Sequence, residues 1–415
     1  MDLSISMEQQ VFREEVRRYC HEHLQKKNSP QDGSGFNREN WEMFASLGWL
    51  GVLLPEDMGG SNGSIIDACI ILEEFGRNLV IEPYLPCAIL ATKTIHNATN
   101  AELRASLLAQ MIAGKLIVVL AHAEHETRGN TAFIETVAQK NSSGAYVLRG
   151  RKSVVSAGSI ADQFAVSARL TGADSKDAGM AVFIVDADAP GLRRRNYSLI
   201  DGRPAADLTL KDVTVTPDSM LISGDYGLSA IEDATDFAII GQCAEAVGAM
   251  DKVIKTTAEY LKTRRAYGTT LNKYQALQHR MADMFIELEL SRSMLYCIFA
   301  AFSEPSQRKR RALVSSAKAL INNSAKFVAG NGIQLHGAQG MADDYLIGQH
   351  FKQLAVLQGL FGSSDFHWEQ CALYFKDAQL QSFDAQNSAE TREPASPPES
   401  HVSRTAEPAA VAVSG

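Results

Sequence analysis

The 415-residue sequence has no Cys-x-x-Cys pair, no surplus of basic residues and no apolar run near the ~18 residues that a membrane helix requires. Without close pairs, Cys20, Cys69, Cys87, Cys243, Cys297 and Cys371 read as reduced core residues, which fits a cytoplasmic protein with no metal site. A formal net charge of −8 gives no support to nucleic-acid binding. The one compact basic run, Arg308-Lys309-Arg310-Arg311, follows Glu304-Pro305-Ser306 and reads as a solvated helix end. No targeting segment or membrane partner is expected, because Met1-Asp2-Leu3-Ser4 leads directly into an amphipathic pattern.

Hydrophobic residues at 45% and charged residues at 21% are ordinary for a globular chain, and the length suits two or three domains. Residues 1–115 carry helical spacing, as in Met7, Phe12, Val16 and Tyr19-Cys20. Glycines and prolines from Leu47 to Gly60 then mark a structural loop, followed by a helix from Ser64 to Phe75. Over 116–224 the texture changes to short β-branched runs, Leu116–Leu120, Ala132–Gln139, Tyr146–Leu148, Phe164–Ala168, Met180–Val185 and Leu208–Val215, separated by Gly, Asn, Asp and Ser. Residues 225–380 return to long helices, including Arg311 to Asn331. In 381–415 there is too little apolar surface to offset chain entropy, so a disordered tail is expected.

The stretch from Tyr260 to Met284 organises the C-terminal part. From Leu277, apolar residues recur at Met281, Met284, Leu288, Leu295, Ile298 and Phe302, one stripe along a helix. Gly268-Thr269-Thr270 separates it from the preceding helix, which predicts a helical hairpin with Arg264 and Gln275 flanking its turn.

Arg264, Tyr267-Gly268 and Gln275, together with Ile333-Gln334-Leu335-His336-Gly337-Ala338-Gln339-Gly340, resemble two stretches of the acyl-CoA dehydrogenases. The resemblance covers roughly residues 5–378. It is nearest to the small-subunit type of heteromeric bacterial enzymes acting on steroid side chains or dicarboxylic acids. It implies an α+β, mainly α, fold: an N-terminal helical domain, a central β-domain and a C-terminal four-helix bundle. It also implies FAD, an acyl-CoA substrate, an electron-transferring flavoprotein as acceptor and a second acyl-CoA dehydrogenase-like subunit. Arg264, Tyr267 and Gln275 would serve the flavin of a neighbouring subunit, and Gln334, Gly337, Ala338 and Gly340 its adenosine end.

Other positions follow from the same resemblance. Ala123 to Asn130 corresponds to a flavin and thioester loop, of which this sequence keeps Glu124, and assigns Ala123 to the cofactor and Gly129 to the substrate. Ser156 corresponds to the hydroxyl that bonds flavin N5, or is an edge-strand serine facing water. Ser363 corresponds to a hydroxyl over the ribityl chain. Asp236 corresponds to a coenzyme A contact, or is a helix-start acid favoured by the macrodipole.

The family's two base positions hold Ala238 and Phe361, which cannot take a proton, so the catalytic residue is unknown. Asp343, Asp344 and Asp365 lie nearby in sequence, where a surface acid is the default. Three readings follow: one subunit of a hetero-oligomeric dehydrogenase whose partner supplies the base; a self-sufficient dehydrogenase or oxidase-like flavoenzyme with a displaced base; or a catalytically silent scaffold subunit.

Overall fold

The computed structural model describes residues 5–24, 36–171, 179–302 and 306–376. The expected tail, 381–415, lies outside the described residues. The described residues up to Cys371 form one compact unit, and 372–376, the described part of a second unit, are helical.

In the N-terminal part, α1 (Met7–His23) and α2 (Arg38–Ser46) precede α3 (Ile65–Asn78). Ser6 and Ser64 each close a capping box, which fixes where α1 and α3 begin. A wide-turned π-helical segment, Tyr84–Ala91, follows, then α4 (Thr92–His96) and α5 (Ala101–Ile112). Trp41, Phe44, Trp49, Phe75 and Tyr84 are buried and join through successive ring contacts, so this part has its own aromatic core.

The β-domain contains β1 (Val118–Ala121), β2 (Val137–Lys140), β3 (Tyr146–Ser156), β4 (Gln163–Leu170), β5 (Met180–Asp186), β6 (Leu192–Ser198), β7 (Pro204–Val215) and β8 (Met220–Ile222). Their order is β6-β7-β3-β2-β4-β5-β8, with β1 pairing in parallel with β4. Two strands were not foreseen. The polar β6, Leu-Arg-Arg-Arg-Asn-Tyr-Ser, lies at the sheet's edge and needs no apolar face; β8 is three residues long.

The third part is built from α6 (Gly224–Thr263), α7 (Gln275–Ala301), α8 (Gln307–His336) and α9 (Leu346–Gly359), mutually packed as the expected four-helix bundle. Between α6 and α7 the chain forms a small β-hairpin, β9 (Arg265–Ala266) paired with β10 (Thr269–Thr270), where a simple helical turn was expected. Tyr267 and Gly268, with φ of 52° and 86°, supply the turn that suits such a ribbon.

Helices α3 and α6 cross in backbone contact. A Cβ on Gly76 would sit 1.9 Å from the Glu245 carbonyl oxygen, and one on Gly248 would sit 1.8 Å from that of Glu73. Only glycine permits this approach. Ion pairs fasten the same region: Arg77 reaches Glu73, Glu74 and Asp251 at 2.9–3.0 Å.

Three expectations need correction. Arg310 and Arg311 are not a solvated end, because they pair with Asp233 (3.5 Å) and Glu232 (2.6 Å) of α6. Cys297 is exposed, unlike the other five cysteines. Asp236 lies in the interior of α6, so the helix-start explanation fails.

Candidate active site

A cavity of about 580 Å³ opens where the three parts meet within the compact unit. The N-terminal part contributes Val80 to Pro86, the β-domain contributes the loop after β1 and the end of β3, and the bundle contributes Thr235 and Glu245 of α6 with 359–363. Most of the lining is apolar, with a few convergent polar groups, as small-molecule sites usually are.

Strain concentrates on this wall. Arg128, Val154, Ala157 and Phe361 all line the cavity with φ between 44° and 61°, the left-handed region that non-glycine residues avoid at a cost of about 1–3 kcal/mol each. Such outliers persist only where surrounding contacts hold them. At Phe361 the hold is visible: His367 Nε2 lies 3.0 Å from its carbonyl oxygen, while His367 Nδ1 bonds Ser315 Oγ at 3.1 Å. Burial, with Lys318 nearby, pushes the His367 imidazole down to about 4, so it is neutral at pH 7. Behind this turn the Lys318 ammonium donates to the Leu357 carbonyl (2.7 Å) and to Gln242, and burial lowers it to about 8.

The loop after β1 is held from beneath. Lys152 Nζ lies 2.8 Å from Glu124 Oε1 and donates to the His122 carbonyl (3.2 Å) and to Ser167 Oγ (3.1 Å). Glu124 further accepts from Thr136 Oγ1 (2.7 Å) and from the amides of Glu135 (2.7 Å) and Thr136 (3.1 Å). Burial works to raise Glu124, but the Lys152 ammonium together with the Thr136 hydroxyl and the Glu135 amide outweighs it, and the carboxyl stays below its ordinary range. Lys152 is lowered to about 8 by the same burial, with Glu124 opposing the fall.

The residues singled out from the sequence separate into two groups. Ala123, Gly129, Ser156, Phe361 and Ser363 line the cavity. Ser156 is half-buried on that wall, and its strand β3 lies between β7 and β2 rather than at an edge of the sheet, which speaks against the edge-strand reading. Ser363 Oγ accepts from the Phe366 amide at 3.3 Å and caps the helix that begins at residue 364. A Cβ at Gly129 would meet the Phe366 ring at 2.8 Å and Gly362 Cα at 3.0 Å, so the two loops touch across the cavity mouth.

Arg264, Tyr267, Gln275, Gln334, Gly337 and Ala338 do not line it. All six are exposed, Tyr267 to 95%, while Gly340 is buried beneath them on its turn. Among the described residues no hydrogen bond or ion pair engages the Arg264 guanidinium.

Two further residues stand apart. Ala238 is fully buried and absent from the cavity wall. Asp236, also absent from it, lies 3.5 Å from Arg311; burial raises its carboxyl to about 7 against the pull of Arg311 and Arg310. Asp343, Asp344 and Asp365 are exposed and do not reach the cavity.

Sequence reasoning missed the Arg203–Glu245 pair, which lines the cavity, with Glu245 buried and Arg203 half-buried. Gln353 also donates to Glu245, at 3.0 Å. A lone carboxylate inside Cys243-Ala244-Glu245-Ala246-Val247 was the available signal, because an acid in such a run needs a partner.

Comparison with known proteins agrees with this architecture. Acryloyl-CoA reductase (NADH) of Anaerotignum propionicum is 25% identical over 373 residues, covering 88% of this chain and 94% of its own. The caffeyl-CoA reductase-Etf complex subunit CarC of Acetobacterium woodii is 23% identical over 340 residues, covering 80% and 88%. A variant of the Tcur3481-Tcur3483 steroid ACAD superposes with a TM-score of 0.79 at 26% identity, covering 90% of this chain and 99% of its own. The acyl-CoA dehydrogenase N-terminal, middle and C-terminal domains match residues 6–115, 119–213 and 225–373 in that order. The chain belongs to the acyl-CoA dehydrogenase family, whose enzymes bind FAD and are oxidoreductases acting on CH–CH bonds.

Proposed function

We propose that this chain is one subunit of a cytoplasmic hetero-oligomeric, FAD-dependent acyl-CoA dehydrogenase of lipid breakdown, with a second acyl-CoA dehydrogenase-like subunit supplying the catalytic base. The observation that carries the reading is the separation of the two residue groups: one lines the cavity, the other lies on an exposed surface. A flavin held by both needs a second chain. Arg264 suits its pyrophosphate because a planar guanidinium offers two charge-assisted bonds to phosphate oxygens. Tyr267, Gln275 and the Gln334–Gly340 turn extend that surface, and Ser156 and Ser363 supply hydroxyls on the cavity side. When bound, the flavin supplies the acceptor for the β-hydrogen as hydride.

The cavity itself explains why the base is sought elsewhere. Its carboxylates are Glu82, Glu124 and Glu245. Glu124 is saturated by Lys152, Thr136 and the Glu135 amide, and Glu245 is held by Arg203 and Gln353. Phe361 and Ala238 offer no proton acceptor. Exposed Phe285, Ile286 and Leu290 of α7, each about half accessible, give the bundle an apolar face for another chain. An electron-transferring flavoprotein is the acceptor that fits this class. Coenzyme A contact by Asp236 is not part of the reading, since that carboxylate faces Arg311.

The test compares dehydrogenation of an acyl-CoA by the chain alone, by the assembled complex, and by a complex whose partner glutamate is changed to glutamine. The chain alone should fall short of the complex by ~10²–10⁴-fold, the usual worth of general-base catalysis. Full turnover by the isolated chain would overturn the heteromer and direct attention to Glu82, the cavity carboxylate that burial raises. Absence of FAD from chain and complex alike would favour the silent scaffold.

A further inference from the structure

Behind the apolar cavity lies a second chamber of about 330 Å³, and Val80, Ile81, Glu82 and Arg203 line both spaces. The chamber has a different character. Asn37, Asn40, Asn78 and Gln349 line it, and Asp201 lies on its wall beside Arg203. The Asp201 side chain is 3% exposed, and its Oδ2, 3.2 Å from Arg203 Nε, accepts no hydrogen bond among the described residues. Its one ion-pair partner among the described residues, Arg203, is shared with Glu245, so the oxygen keeps capacity for a further donor.

Charge decides what kind of donor. Around the chamber Glu82, Asp201, Asp343 and, through Arg203, Glu245 stand against Arg203 and Lys352, four formal negative charges against two positive, with Lys352 held by Asp343 at 2.8 Å. The balance stays negative even with Glu82 protonated. Arg203 is already committed to Glu245 and Asp201, so the wall repels a carboxylate ligand and suits a neutral hydroxyl.

We propose that cavity and chamber form one bipartite acyl site, selecting thioesters whose acyl group is apolar in its body and carries a hydroxyl at its far end, donated to Asp201. This rests on the acyl-CoA reading above and narrows its substrate class: of the two classes the resemblance suggests, a dicarboxylic acyl chain is disfavoured.

The test measures binding of dodecanoyl-CoA, 12-hydroxydodecanoyl-CoA and dodecanedioyl-CoA to the assembled protein by calorimetry. The hydroxyl compound should bind about tenfold tighter than dodecanoyl-CoA, in line with one hydrogen bond to a charged acceptor, and the dicarboxylic compound weakest. Asp201→Asn should shrink the hydroxyl preference, taken as the ratio of the two affinities in that variant, to below about threefold; if that variant does not fold, Glu82→Gln should relieve the rejection of the dicarboxylic compound. Equal binding of the first two, or tightest binding of the third, would overturn the proposal while leaving the acyl-CoA reading intact. If none of the three binds, the acyl-CoA reading itself fails and takes this one with it.

Discussion

The cavity wall and the α6–α7 hairpin answer the same ligand in opposite ways. On the wall, buried polar groups are largely satisfied by the chain itself: Lys152 by Glu124, Glu245 by Arg203, His367 by Ser315 and the Phe361 carbonyl. On the hairpin, the side chains of Arg264, Tyr267 and Gln275 are exposed and have no hydrogen-bond or ion-pair partner among the described residues. The wall is preorganised and pays no reorganisation cost on binding, whereas the hairpin acquires its meaning from a neighbour. Perturbing the wall should therefore alter the isolated chain, and perturbing the hairpin should be silent until the complex forms.

The largest effect is expected on the wall. Lys152→Met removes a fully buried cation from its carboxylate partner and should destabilise the chain by about 3–5 kcal/mol in urea unfolding, since a buried charge left without its counter-ion carries that order of penalty. Adding Glu124→Gln should restore part of the loss; no recovery would mean that the pair does not act as a unit.

Arg264→Ala should leave the isolated chain's unfolding curve in place yet lower FAD content of the complex at least tenfold, read from visible absorbance after gel filtration, the scale of losing a charge-assisted phosphate contact. Unchanged flavin would detach the hairpin from the cofactor.

Gly129→Ala ranks next. With φ at +98° and Phe366 and Gly362 within 3.0 Å of the new methyl, it should cost about 1–3 kcal/mol and open the mouth between the two loops. A melting temperature equal to wild type would mean that the loops are not in contact.

The smallest effect concerns Asp236, away from both regions. Its carboxyl is raised from 3.8 to about 7, so the folded state holds the proton more tightly than the unfolded chain does. The stabilisation is then fully present below about pH 4 and is lost as pH rises to about 7. Asp236→Asn should flatten this part of the melting-temperature profile; an unaltered slope would assign it to other groups.

The helix–sheet–helix order was legible in the sequence because periodicity changes visibly at about residues 116 and 225. The positions lining the cavity from 123 to 129 and at 156 were reached through motif resemblance. What escaped was polar chemistry assembled over long separations. Arg203 and Glu245 are 42 residues apart and belong to a sheet turn and a helix. Lys152 reads as one more polar residue on a strand, although it is completely buried. Edge strand β6 escaped for the opposite reason, because its Arg-Arg-Arg run resembles a loop and the ladder to β7 supplies what its side chains do not. Neither burial of a charge nor pairing of an edge can be read from local composition.

The glycine crossing of α3 and α6 has a mechanical corollary. Two helices whose backbones touch have no compressible side-chain layer between them, so neither can move toward the other when a bulky guest arrives. The flank of the cavity formed by Thr235 and Glu245 of α6 is thus a stiff jaw. Compliance is left to Val80–Pro83, the short stretch between α3 and the π-helical segment, which lines the same cavity outside any regular helix. Accommodation of different acyl groups should accordingly be graded by changes in that short segment, with the long helices serving as the fixed gauge against which they are measured.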